Sequence, residues 1–240
     1  MASSYSTNAQ LEIITTGEKA GQWGGITNTN LQILEQTSTG VLDVDISAGS
    51  STLVLTDGST STGKNIYLRL YGTLAANRTV TMPVTAERVW IMKDDTVRGA
   101  SNYTVGVLTA SGTTQPIPPG ATVLCKSNGS ETVVTIIEPG YETITDSNTP
   151  YTTVAGAQIL ANTTSAVITV TLPAAASTGD EVTIIDARGT WGSNNLTVGR
   201  NGLKINSGTS DLTLSNNGQS ITLVYVDSTR GWAYKTNYTS

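Results

Sequence analysis

The sequence predicts an all-β protein in three parts. An N-terminal arm and short helix (residues 1–40) precede two tandem, repeat-related antiparallel β-sandwich or barrel-like domains (41–139 and 140–240). From Val41 onward short runs alternate apolar and polar residues, and Gly-, Ser- and Thr-rich turns separate them. Nothing between the runs is long enough for a crossover helix, which points to antiparallel sheets. The second half also repeats motifs of the first in the same order.

Met1 to Gln10 is rich in Ser, Thr and Asn with one Tyr, and reads as a flexible or borrowed arm that orders only against a partner. Leu11 to Thr16 suits a short strand. Gly17 to Gly25 is punctuated by glycine around Trp23, whose indole reads as a packing anchor rather than a ligand platform. Thr27 or Asn28 can cap a helix that continues through Asn30 to Gln36, with Leu31, Ile33 and Leu34 apolar. At about ten residues such a helix is marginal alone and needs a packing surface, either the domain behind it or its own copies in an oligomer.

Beyond Gly40 the period becomes two: Val41-Leu42-Asp43-Val44-Asp45-Ile46, Leu53-Val54-Leu55 and Ile66-Tyr67-Leu68-Arg69-Leu70 all read as strands. Thr79-Val80-Thr81-Met82-Pro83 recurs as Thr169-Val170-Thr171-Leu172-Pro173, 90 residues later. Val89-Trp90-Ile91-Met92 aligns with Val182-Thr183-Ile184-Ile185, and Tyr103-Thr104-Val105-Gly106 with Leu196-Thr197-Val198-Gly199, both offset by 93. Gly120 before Val123-Leu124-Cys125 aligns with Gly218 before Ile221-Thr222-Leu223, offset by 98. Offsets that drift upward in constant order are what loop insertions between duplicated strands produce. Each Pro closes its strand, because it cannot donate to a ladder. Glu138-Pro139-Gly140 reads as the linker between the blocks, and Asp227 to Gly231 as a hairpin turn into the last strand.

Composition excludes several functions. A net charge of −5, with 13 Lys and Arg scattered along the chain, lacks the cationic face that a nucleic-acid reader needs. There is no His and one Cys, which removes Ser-His-Asp and Cys-His catalysis, His-based zinc sites and an intrachain disulfide. Cys125, inside Val123-Leu124-Cys125, reads as a small buried hydrophobe. The first residues lack a basic start and an apolar core, and no run approaches a membrane span. The chain is therefore expected to be made in a cytosol, without a signal peptide or membrane insertion.

No spacing assembles a catalytic or metal site, and no cofactor is implied. Asp94-Asp95 is the one adjacent carboxylate pair and reads as a solvated turn after Lys93 rather than a catalytic dyad. Asp43 and Asp45 share a strand face, but no calcium loop follows, so the face is expected to meet water or a neighbouring subunit. Gly21 to Gly25 lacks the Lys-Ser/Thr of a phosphate loop. Of the four Trp, Trp191 between Gly189 and Gly192 is the candidate for stacking on a sugar.

Gly17, Glu18, Gly21, Trp23, Gly24, Thr27, Asn28, Asn30, Leu31 and Leu34 closely resemble a segment near the N-terminus of tail-fibre-like proteins of tailed phages, those of marine phages (cyanophage-type) especially. The second block resembles a β-domain of phage fibre and decoration proteins at Pro173, Gly179-Asp180, Asn194 to Val198, and Val224-Tyr225 to Gly231-Trp232. This resemblance implies a virion structural protein and a homotrimer joined by the short helix at a three-fold axis. Trp23, Thr27, Asn28, Asn30, Leu31 and Leu34 would then serve assembly and anchoring. Two roles suit it: a short tail-fibre-like appendage that meets host surface polysaccharide or an outer-membrane protein, or a capsid decoration (cement) protein that stabilises the head. Other virion proteins are the expected partners in either role.

Overall fold

The computed structural model describes residues 3–83, 86–98, 103–109, 113–128 and 131–238. Strand dominates, and among the described residues there is a single α-helix, so the chain is all-β in class. It divides into two compact units. The first is built from residues up to 137 and the second from 138 onward, except that Arg98, Tyr103 and residues 118–121 cluster with the second.

In the first unit, a hairpin of β1 (Ser4–Tyr5) and β2 (Glu12–Ile13) precedes α1 (Trp23–Thr39). Next come β3 (Val41–Asp45), β4 (Ser51–Thr52), β5 (Tyr67–Thr73), β6 (Arg78–Met82), β7 (Glu87–Val97), β8 (Val105–Thr109), β9 (Gln115–Ile117), β10 (Thr122–Asn128) and β11 (Thr132–Glu138). The strands fall alternately into two sheets, ordered β11-β10-β7-β5-β3 and β4-β6-β8-β9. Within them β3, β5 and β7 run parallel in register, as do β4, β6 and β8.

The second unit has the same succession. Its strands are β12 (Tyr141–Ile144), β13 (Tyr151–Thr152), β14 (Gln158–Ala161), β15 (Ile168–Thr171), β16 (Glu181–Asp186), β17 (Leu196–Gly199), β18 (Leu212–Leu214), β19 (Ser220–Asp227) and β20 (Gly231–Tyr238). They form sheets β12-β14-β16-β19-β20 and β13-β15-β17-β18, again with the first three strands of each sheet parallel.

The expected antiparallel sandwich or barrel is thus corrected to a short two-sheet β-solenoid. A parallel neighbour does need a crossover, and here the strand of the opposite sheet supplies it, so no helix is required. Antiparallel pairing is seen where each coil closes, at β8–β9 and β7–β10 in the first unit and at β17–β18, β16–β19 and β19–β20 in the second. Alternate residues face inward between the sheets. β16 and β19 each bury every second side chain, and Ile159, Val170, Val182, Ile184, Val198 and Ile221 are fully buried in one cluster.

Ladder partners set the correspondence between the units. Trp90 pairs with Cys125 and Met92 with Val123; Val182 pairs with Leu223 and Ile184 with Ile221. Trp90 therefore corresponds to Val182, Met92 to Ile184 and Asp94 to Asp186, one residue away from the alignment that set Val89 against Val182. A slip of one residue exchanges the two faces of a strand: Val89 is 44% exposed and Val182 is 0% exposed. The third match shifts by two and keeps its face. Val80 pairs with Val107 and Val170 with Val198, so Val107 rather than Val105 corresponds to Val198.

Two local readings also change. Asp94 and Asp95 lie within β7 rather than in a turn: Asp94 is buried, and Asp95 points outward to Arg69 at 2.6 Å. From Ser3 on, the N-terminal arm is ordered against its own chain. Gln10 accepts a bond from the Gly58 amide, and Asn8 accepts from the Glu87 amide and from the Arg88 guanidinium. We predict that Trp90→Ala costs about 3–5 kcal/mol of stability while Val89→Ala stays within about 0.5 kcal/mol, measured from denaturant midpoints. The reverse order would restore the register with Val89 inside.

Candidate functional site

α1 runs for 17 residues, well beyond the expected Asn30 to Gln36. Its start is set by a tight turn with Gly17, Lys19 and Gly21 at positive φ, closed by bonds from the Glu18 amide to the Thr15 carbonyl and from the Gln22 amide to the Lys19 carbonyl. Gln22 is the N-cap and makes no side-chain cap bond; Thr27 and Asn28 lie inside the helix and are exposed, not at its start. The helix ends at Gly40, whose amide bonds to the Gln36 carbonyl. A Cβ there would lie 2.3 Å from that oxygen and 2.7 Å from Asn65 Oδ1, so only glycine fits.

Contrary to the usual amphipathic pattern, the inward face of α1 is largely polar. Asn30 accepts the Glu12 amide at 3.0 Å and donates to the Glu12 carbonyl at 2.9 Å, reproducing with a side chain the two bonds of a ladder partner. Two turns on, Gln36 does the same for Ser61, accepting its amide at 3.2 Å and donating to its carbonyl at 3.1 Å. Between them only Ile33 is buried. The outward face carries Trp23, Thr27, Leu31 and Leu34, with Trp23 65%, Leu31 57% and Leu34 45% exposed. Trp23 is therefore no packing anchor within this chain. The candidate assembly residues separate into two groups: Asn30 clamps the hairpin to the helix, while Trp23, Thr27, Leu31 and Leu34 form an uncovered stripe at spacings near one helical turn.

The segment that Gln36 holds is braced in turn. Lys64 is fully buried in a 3-10 turn, its Nζ donating to the carbonyls of Thr56 at 2.7 Å and Ser59 at 2.6 Å. Burial pushes its pKa down, and the neighbouring Arg88 adds to this. Arg88 donates to the Lys64 carbonyl and lies 5.9 Å over the Trp90 ring, while Trp90 Nε1 donates to the Gly63 carbonyl at 2.9 Å.

Trp191 offers no stacking surface: it is 0% exposed and belongs to the second unit's core. Asp186, at the end of β16, is the cause. Its Oδ1 accepts the amides of Arg188, Gly189 and Thr190, and its Oδ2 those of Trp191 and Gly218. The loop is wound around one carboxylate, and the indole that follows turns inward. Burial raises this carboxyl's pKa, but the backbone donors outweigh it and hold the group below the usual carboxylate range. Sequence reading passed over Asp186; its signal was an Asp at a strand end followed by Gly within three residues. Asp94 at the corresponding position accepts from the Thr96 amide and hydroxyl.

Asp43, Arg69 and Asp95 form an exposed ladder across β3, β5 and β7, with Arg69 bonded to Asp95 at 2.6 Å and 3.7 Å from Asp43. Among the described residues no group of three or more His, Cys, Asp or Glu is placed to hold a metal, and no helix is long and apolar enough to cross a membrane. Cys125 is buried, with its thiol pushed up to about 12 by burial. The uncovered stripe of α1 is thus the strongest candidate functional surface.

No protein-family profile and no curated protein matches the chain. Among solved structures, a chain from the structure of a chaperone–substrate complex aligns at 13% identity and a TM-score of 0.37. That alignment covers 81% of this chain and 36% of the other, so this chain spans about a third of that neighbour's length. A likeness at that level carries no argument about fold or role.

The Asp186 carboxylate stabilises the folded chain fully above the unfolded value of about 3.9, and the contribution is lost as pH falls through its lower folded value. Asp186→Ala should cost about 3 kcal/mol, because five amides lose a charged acceptor. Asp186→Asn should flatten the loss of stability below about pH 4 in acid titrations followed by circular dichroism. An acid limb as steep as the wild type's would show that this group does not titrate with folding.

Proposed function

We propose that this chain is a non-enzymatic structural protein of a tailed-phage virion: a short, fibre-like appendage in which α1 joins three copies and the β-units are displayed beyond it. The observation that carries this reading is the outward stripe of α1. A helix held to its own unit by Asn30, Ile33 and Gln36, with Trp23, Thr27, Leu31 and Leu34 uncovered, is arranged to pack against something else. Trp23, Leu31 and Leu34 lie along one side of the helix with Thr27 between them, and such a stripe is what a bundle of identical helices interdigitates. The resemblance of residues 17–34 to the phage fibre segment supplies the three-fold number and the virion location.

Rigid β-coils with neutral Ser, Thr and Asn surfaces suit an exposed part, since their contacts depend little on salt. Other virion proteins are the partners at the N-terminal end. With Trp191 buried, a host polysaccharide or outer-membrane protein would meet surface loops of the second unit instead, foremost the stretch 200–211 between β17 and β18. No cofactor enters this role.

Leu31→Lys with Leu34→Lys should convert a three-chain mass in solution to smaller species without changing the β-sheet circular dichroism. A wild-type chain that sediments as a monomer at high concentration would end the trimer reading. Electron microscopy of virions labelled against this chain tests the location: label on the tail is the expected result, whereas label spread over the head would make it a decoration protein.

A further inference from the structure

The two five-stranded sheets have four edges, and three carry charge within the strand: Asp43 and Asp45 in β3, Glu142 in β12 and Lys235 in β20. Charges on an edge keep other chains from adding to it. The fourth edge, β11, reads Thr132-Val133-Val134-Thr135-Ile136-Ile137-Glu138, with no charge before its last residue. Val133 is 57% and Ile137 55% exposed, and Ile136 is also exposed.

This apolar edge is not required by the fold. β20 holds the same place in the second unit, and its outer half exposes Tyr234, Lys235, Thr236 and Asn237. The coil therefore closes equally well with a polar edge strand.

The residue pattern of β11 also identifies what it would pair with. It reads symmetrically about Thr135: Val134 balances Ile136, Val133 balances Ile137, and Thr132 balances Glu138. A second copy laid antiparallel, with Thr135 opposite Thr135, sets Val133 against Ile137 and Val134 against Ile136 on matching faces. Each Glu138 then faces a Thr. A parallel arrangement would instead set Glu138 beside Glu138, a like-charge pair that disfavours it.

We propose that β11 is a self-association edge, which pairs antiparallel with β11 of a second copy about a two-fold axis at Thr135 and joins two five-stranded sheets into one. The contact is isologous and separate from the α1 stripe.

The test uses the full chain carrying Leu31→Lys and Leu34→Lys, so that helix-mediated association does not contribute. Thr135→Cys should cross-link to itself on mild oxidation, since opposed residues in an antiparallel pair lie about 4.5–5.5 Å apart, within disulfide reach. Val133→Cys and Ile137→Cys should cross-link when mixed and not separately. Cys125 is buried and supplies no background. The rate for Thr135→Cys should exceed that of Val97→Cys, an exposed control position on β7, by about tenfold or more. Equal rates at positions 135 and 97 would overturn the proposal, as would cross-linking of Val133→Cys alone. In the chain with native Leu31 and Leu34, Thr135→Lys should abolish the two-fold contact and leave any α1-mediated species intact, so a failure of one interface is read apart from a failure of the other.

Discussion

A strand hydrogen-bonded in parallel to its neighbour cannot reach it by a tight turn, because the chain must first return to the end from which it started. Both units meet this constraint with short strands. Each return path is itself a strand of the opposite sheet, so every coil adds one rung to both sheets. β3, β5 and β7 grow one sheet while β4, β6 and β8 grow the other. The inward residues of the two then meet as a single core without any helix to cover them. The number of coils, the placing of the antiparallel closing strands and the location of free edges follow from this arrangement.

Where the ladder cannot continue, single polar side chains take over its hydrogen bonds. Asn30 and Gln36 each satisfy the amide and carbonyl of one residue, Lys64 collects two carbonyls, and Asp186 collects five amides. Buried backbone groups left unpaired would be costly, so these residues define where loops and α1 attach. They also explain the inverted character of α1. Once its inward face is given to Asn30, Gln36 and one isoleucine, its larger apolar residues face outward.

Having the coil twice in one chain separates what the fold needs from what it leaves free. Val44 and Ile144, Leu68 and Ile159, and Met92 and Ile184 occupy matched inward positions, and all are buried. Outward positions diverge: Asp43, Arg69 and Lys93 share a rung in the first unit where Thr143, Leu160 and Ile185 share the corresponding one in the second. Exposed ion pairs such as Arg69 with Asp95 add little to stability. The edge strands diverge in the same way, and a difference the core does not require is available for association.

By itself the sequence determined the all-β class and most strand positions, because a period of two in side-chain burial is written directly in alternating residues such as Ile168 to Thr171; Leu53 to Leu55, which alternate in the same way, lie just past β4 and are not a strand. It also determined that Cys125 is interior and that Trp23, Leu31 and Leu34 lie together in one segment. Only the tertiary structure decided which neighbouring strands are parallel and that β7 and β16 are offset by one residue from their best sequence match. Alternation is the same for parallel and antiparallel neighbours, and Val89 and Trp90 are both large and apolar, so neither choice leaves a trace in residue type. Burial of Trp191 and exposure of Trp23 were likewise decided in three dimensions. Glycines flank both, and what separates them is the hydrogen bonding around each: Asp186 draws the Trp191 loop inward, while Asn30 and Gln36 turn another face of α1 to the fold and leave Trp23 outside.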